Sequence, residues 1–130
     1  MGDLETVRRI FEGWSTGDFA AGLDDYAEDI VLVLDPEFPD AGSYEGPEGI
    51  RDGYMRPMLE AWESFRIEAE SLEQQGDRIL AVVRQSGVGR DSGLEVEIRY
   101  FQLWTFRDGR VTGLRSIMDE SDAREALRAG

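Results

Sequence analysis

From residue 65 onward, apolar residues in this chain recur at every second position, and glycine-bearing turns cut the pattern into four runs. Alternation with a period of two is the mark of strands with one buried face. The first run begins Phe65-Arg66-Ile67-Glu68-Ala69. Gln75-Gly76-Asp77 turns it into Arg78–Val88, the stretch from Gly89 to Gly93 leads into Leu94–Phe106, and Arg107-Asp108-Gly109 leads into Arg110–Met118. Runs joined by short turns pair as antiparallel neighbours. The chain is thereby committed to a four-strand meander that has to cover one face.

The segment before residue 65 supplies the cover. Val7, Ile10, Phe11 and Trp14 share one face of a helix over residues 3–15, with Asp3 placed to cap it and Gly13 and Gly17 loosening its end. Asp18 is placed to cap a second helix carrying Phe19, Leu23 and Tyr26. Residues 30–34 form a continuous apolar run of strand length closed by Asp35-Pro36, and residues 36–49 read as loop. Pro47 suits the first turn of a third helix, about 47–63, which Pro57 should kink near residue 56. A short helix, about 121–129, ends the chain. The order predicts one α+β domain spanning 1–130, with helices packed on one face of a curved, mostly antiparallel sheet.

Composition narrows the chemistry. The chain has no Cys, His, Lys or Asn; its 14 cations are all Arg, set against 28 acids for a net charge of −14. Thiolate, imidazole and Schiff-base chemistry are therefore absent from its side chains. The acidic balance argues against nucleic acid and anionic membrane partners. No apolar stretch approaches a membrane span, and the acidic start is no signal peptide, so the expected compartment is the cytoplasm. The Arg-for-Lys bias suggests a bacterial, GC-rich coding sequence. No metal site or cofactor is called for: acidic neighbours such as Asp24-Asp25 and Asp119-Glu120 do not share a face.

Alternation sorts the long strand into two sets. Ile98, Tyr100, Gln102, Trp104 and Phe106 form the set expected to meet the helices. Glu97, Arg99, Phe101, Leu103 and Thr105 form the other, where Phe101 and Leu103 suit a homodimer contact through the sheet. The turn leaves two registers open. A two-residue Asp-Gly loop pairs Phe106 with Val111; a three-residue loop pairs Phe106 with Arg110 and Gln102 with Leu114. Arg84 and Arg99 fall near each other and call for Glu68, Glu70 or Glu97 between them. Asp35 shares a face with Val31 and Val33.

Several motifs resemble the nuclear transport factor 2-like superfamily. They are Trp14-x-x-Gly17-Asp18, Tyr26-Ala27-Glu28-Asp29-Ile30, Tyr44-Glu45-Gly46-Pro47-Glu48-Gly49-Ile50-Arg51 and Trp104-Thr105-Phe106-Arg107-Asp108-Gly109-Arg110-Val111. Within it the chain is similar to SnoaL-like (polyketide cyclase-like) and ketosteroid isomerase-like domains. The resemblance implies a cone, the sheet wrapped around the N-terminal helices, with a hydrophobic pocket at the open end. It places Asp35 at the general-base position and Tyr54 at a supporting pocket tyrosine. The oxyanion-hole tyrosine reads Ile10 and the oxyanion-hole aspartate reads Gln102. Asp119 is a candidate for the cyclases' late-strand aspartate, and their histidine has no counterpart.

The candidate site is therefore Asp35, Gln102 and Tyr54 as catalytic groups. Trp14, Val33, Met58, Trp62, Tyr100, Trp104, Leu114, Ser116 and Met118 are the ligand-binding candidates. Desolvation by Val33, Trp104 and Met118 would make Asp35 a base; at a strand end before Pro it is equally a turn-starting residue. Gln102 reads as a partner for a bound carbonyl or as a satisfied buried amide. Two functions follow. One is a cofactor-independent isomerase, cyclase or lyase acting on a small apolar carbonyl compound. The other is a non-catalytic ligand-binding or dimeric accessory domain. An interaction module built on exposed Phe101, Leu103 and Ile117 is a third.

Overall fold

The computed structural model describes residues 2–129. Helix α1 runs Asp3–Ser15 and buries Thr6, Val7, Ile10, Phe11 and Trp14, the expected stripe. Its N-cap is Gly2, without a side-chain cap, so Asp3 lies in the first turn, where its charge favours the positive helix end. The second helix does not form. Gly17 and Gly22 take left-handed φ values of 91° and 99°, and only a 3₁₀ turn, Leu23–Asp25, separates them from the next strand. Gly22 is needed there twice over, since a Cβ would also sit 3.2 Å from two Ile10 atoms.

Strand β1, Tyr26–Leu34, takes in Tyr26, which helical spacing predicts for that helix. The segment expected to be loop contains a short strand, β2, Gly42–Glu45, held antiparallel against β1. One helical run follows in three parts: α2, Gly46–Glu48; a π-helical stretch, Gly49–Met55; and α3, Arg56–Ala61. The Arg56 N–H reaches the Arg51 carbonyl, five residues back. Pro57 has no N–H for the Gly53 carbonyl, and the ladder widens just before it, the π-helical stretch giving way to α3 at Arg56.

Strands β3, Trp62–Gln75; β4, Arg78–Gly89; β5, Glu95–Arg107; and β6, Arg110–Ile117 form the meander. The curved, unclosed sheet has the order β2-β1-β6-β5-β4-β3, and β1 pairs parallel with β6. The β5–β6 turn has two residues, Asp108 and Gly109, both left-handed, and pairs Phe106 with Val111. A bulge between Thr105 and Phe106 then shifts the ladder by one, so Trp104 faces Leu114 and Gln102 faces Ser116. Neither register anticipated from the turn alone persists along the whole strand.

Two apolar layers result. Tyr100, Trp104 and Phe106 point into the inner core shared with α1, with Trp104 5.8 Å from the Phe11 ring and 5.7 Å from the Trp14 ring. On the opposite face, Leu80, Val82, Phe101, Leu103 and Ile117 are covered by Ala123 and Leu127 of α4, Glu120–Ala129. The helices therefore occupy both faces of the sheet, and the patch of Phe101, Leu103 and Ile117 is buried within the chain instead of exposed. The Arg78 guanidinium secures α4 by donating to the Leu127 carbonyl at 2.8 Å. Asp119 caps the helix, accepting from the Asp122 N–H at 3.0 Å and the Ser121 hydroxyl at 2.7 Å, which holds its carboxyl below its ordinary range. The same outer face carries the Arg84–Arg99 cross-strand pair, separated as expected by acids: Arg84 lies 3.5 Å from Glu97 and Arg99 lies 2.6 Å from Glu70.

Candidate functional site

The inward rows of β4, β5 and β6 meet the π-helical stretch at the wide end of the sheet, and there the core is incomplete. A cavity of about 530 Å³ opens between them. Phe38, Tyr44, Tyr54, Trp62, Phe65 and Tyr100 form its aromatic walls, joined by Leu34, Met58 and Ile98. Gln85, Ser86 and Ser116 add polar groups, and Asp40 is the one carboxylate among the described residues lining it. Below it lies a recess of about 30 Å³ bordered by Trp14, Ile50, Gln102 and Leu114; Tyr54, Met58, Gln85, Tyr100 and Ser116 border both spaces. That volume holds a single water or the end group of a ligand.

The polar group at the junction is built by strand register. Val83 pairs with Tyr100 and Gln85 with Ile98, so Gln85 and Tyr100 are diagonal neighbours on the inner face. The Tyr100 hydroxyl donates to Gln85 Oε1 at 2.8 Å. Burial raises the Tyr100 phenol above its ordinary value; the neighbouring Gln102 side chain opposes this, and the Asp40 charge adds to the rise. Burial also raises Tyr54, reinforced by Tyr100, Asp40 and Tyr44. Both phenols therefore stay protonated across the physiological range. Gln102 is 6% exposed, and its Oε1 meets no donor among the described residues. Trp104 Nε1 also lacks a partner there, but this side chain borders neither space.

The structure therefore brings together most of the expected residues: Gln102, Tyr54, Trp14, Met58, Trp62, Tyr100, Leu114 and Ser116. Four fall elsewhere. Trp104 is fully buried core. Met118 packs on the inner cluster without reaching the cavity. Val33 and Asp35 belong to the outer face, because Ile30, Leu32 and Leu34 of β1 lie in the inner core and alternation sends the residues between and after them outward. Arg115, opposite Val33, takes the Asp35 carboxylate with both arms, Nε to Oδ1 at 2.9 Å and Nη2 to Oδ2 at 3.0 Å. Asp35 borders neither space; its carboxylate is engaged by Arg115 on the outer face.

Gln85, Tyr44, Phe38, Phe65 and Asp40 were not singled out from the sequence. For Gln85 a signal existed: it continues the inward row Ile79, Ala81, Val83, where a polar residue calls for a reason. The others depend on how the loop after β1 and the start of β3 fold over the opening. Among the described residues no three acidic side chains form a metal-holding group, and no helix is long and apolar enough to cross a membrane.

Comparison with known proteins agrees with this architecture. No curated protein matches the chain. Among solved structures, an NTF2-like protein from Burkholderia thailandensis superposes with a TM-score of 0.84 at 24% identity, covering 98% of each chain. TerC, co-crystallised with polyporic acid, superposes with a TM-score of 0.76 at 21% identity, covering 98% of each chain. A Catenulispora acidiphila protein with a ketosteroid isomerase-like fold, in complex with trimethylamine, gives 0.76 at 16% identity over 96% of this chain and 92% of that one. At these identities the likeness establishes the fold. The SnoaL-like domain profile matches residues 7–114, and the chain belongs to the SnoaL-like domain family.

Proposed function

We propose that this protein binds a small, neutral, mostly apolar molecule bearing oxygen in the cavity over Tyr100. The observation that carries this reading is the cavity itself: aromatic walls around a few convergent neutral hydrogen-bonding groups, the usual make-up of a small-molecule site. A net charge of −14 disfavours an anionic ligand. In support, TerC, of similar fold, was crystallised with a small molecule. The test is titration with 2-tetralone, a neutral bicyclic ketone, followed by tryptophan fluorescence, since Trp62 lines the cavity. Saturable one-to-one binding that Tyr54→Phe weakens severalfold supports the reading. Non-saturable quenching, unaltered in the variant, refutes it.

A catalytic reading has one observation behind it: Asp40 stands at the cavity, close enough for its charge to act on Tyr54 and Tyr100. In such an enzyme Asp40, in place of Asp35, would take a proton α to a carbonyl. The C–H electron pair would become the C=C bond of the enolate, the carbonyl π pair would pass to oxygen, and the protonated Tyr54 would donate to that oxygen. No metal or organic cofactor enters this step. Exchange of the α-hydrogens of 2-tetralone with D₂O, read by NMR, tests it. Exchange above the buffer rate that is lost in Asp40→Asn and kept in Asp35→Asn supports catalysis; exchange at the buffer rate leaves a binding protein.

A further inference from the structure

The recess beneath the cavity has a polarity that follows from its hydrogen bonds. The Tyr100 proton is committed to Gln85 Oε1. With that proton used, the phenol oxygen is left only to accept. Gln102 lies in the same layer, its Cα paired with Ser116 across the β5–β6 ladder. Its Oε1 is an acceptor on a residue only 6% exposed. It borders a space of about 30 Å³ and meets no donor among the described residues. A buried acceptor left open is destabilising until something donates to it. Main-chain and side-chain groups in this layer do not do so, and the space beside it admits one further polar atom.

We infer that Gln102 selects ligands by a hydroxyl: the molecule that fills the cavity inserts a hydrogen-bond donor, an alcohol, phenol or enol, into the recess against Gln102 Oε1. A ketone oxygen at the same depth would face another lone pair. The substrate class is thereby narrowed from oxygen-bearing apolar molecules to hydroxylated ones, with any carbonyl directed toward the mouth, where Tyr54 and Asp40 stand. The inference rests on the cavity being the ligand site, as proposed above.

The test compares 2-tetralol with 2-tetralone, which share a ring skeleton and differ in whether the oxygen carries a proton. Calorimetric titration of the wild-type protein is expected to give about tenfold tighter binding of the alcohol, the difference expected between a satisfied and an unsatisfied buried hydrogen bond. In Gln102→Met, with similar volume and no acceptor, the preference is expected to vanish through loss of alcohol affinity while the ketone binds as before or better. A thermal melt of the unliganded Gln102→Met protein provides a reading independent of ligand. Removing an open acceptor is expected to leave Tm unchanged or raised, whereas an amide satisfied within the core would make Tm fall. Equal affinities, or a preference for the ketone, overturn the inference and leave the cavity reading standing. Failure of both probes to bind overturns both.

Discussion

Replacing Asp35 with Asn separates a structural role for this residue from a catalytic one. Its carboxylate is 8% exposed and makes two charge-assisted bonds of 2.9 and 3.0 Å to Arg115. Bonds to charged groups contribute about 1.5–3 kcal/mol each when buried. Arg115 keeps 44% of its side chain in solvent, which screens the pair and lets the guanidinium rehydrate once its partner is gone. Asn can still accept one N–H. The loss should therefore be about 1–2 kcal/mol, a Tm drop of roughly 3–8 °C for a chain of this size. A double-mutant cycle with Arg115→Gln, followed by urea denaturation, is the assay, with an expected coupling near 1 kcal/mol. Binding of 2-tetralone should be unchanged. Coupling under about 0.3 kcal/mol, or a stable variant that has lost binding or exchange activity, would refute the assignment and return Asp35 to the role of base.

Two other perturbations bear on the same architecture. Burial raises Tyr26, Tyr54 and Tyr100, so the unfolded chain loses these protons first as pH climbs past the ordinary phenol value near 10. Stability should be fully present below that value and fall above it, and without Lys, His or Cys it should be level between pH 6 and 9; urea melts with tyrosinate absorbance at 295 nm check this, and Tyr54→Phe should shallow the fall. Gly87→Ala should destabilise by about 1–3 kcal/mol and weaken ligand binding, because the added Cβ would stand 2.6 Å from the Ser64 carbonyl oxygen and 3.0 Å from the ring of Trp62, a wall of the cavity; denaturation and titration together test it.

The parts of the fold visible in the sequence were those with an uninterrupted period. Alternation from Phe65 to Met118 located four strands, and the Val7-Ile10-Phe11-Trp14 stripe located α1. Phe19, Leu23 and Tyr26 also fit helical spacing, but Gly17 and Gly22 turn left-handed, and Tyr26 gains more as the first rung of β1. Strand β2 exists only through its pairing with β1, a long-range fact that Ser43 and Tyr44 do not carry. The face occupied by Asp35 was tied to Val33 correctly, yet which face met the helices depended on β6 lying alongside β1. For α4, the Ala123–Leu127 stripe is too short to name its partner, and only the structure shows it closing over Phe101 and Leu103. Family position and strand parity together pointed Gln102 inward, and family position with helical spacing did so for Tyr54; Gln85 was missed though parity alone pointed to it.

The central claim is that ligands enter the cavity over Tyr100 and not the outer face beside Asp35. Backbone and side-chain amide shifts recorded by NMR during titration with 2-tetralol test it most directly. Shifts are expected at Ser86, Tyr100, Gln102 and Ser116 and in the side-chain amides of Gln85 and Gln102, with Asp35, Arg115 and α4 unmoved. Saturating shifts centred on Asp35 and Arg115, with the Gln85 and Gln102 amides unmoved, would contradict it.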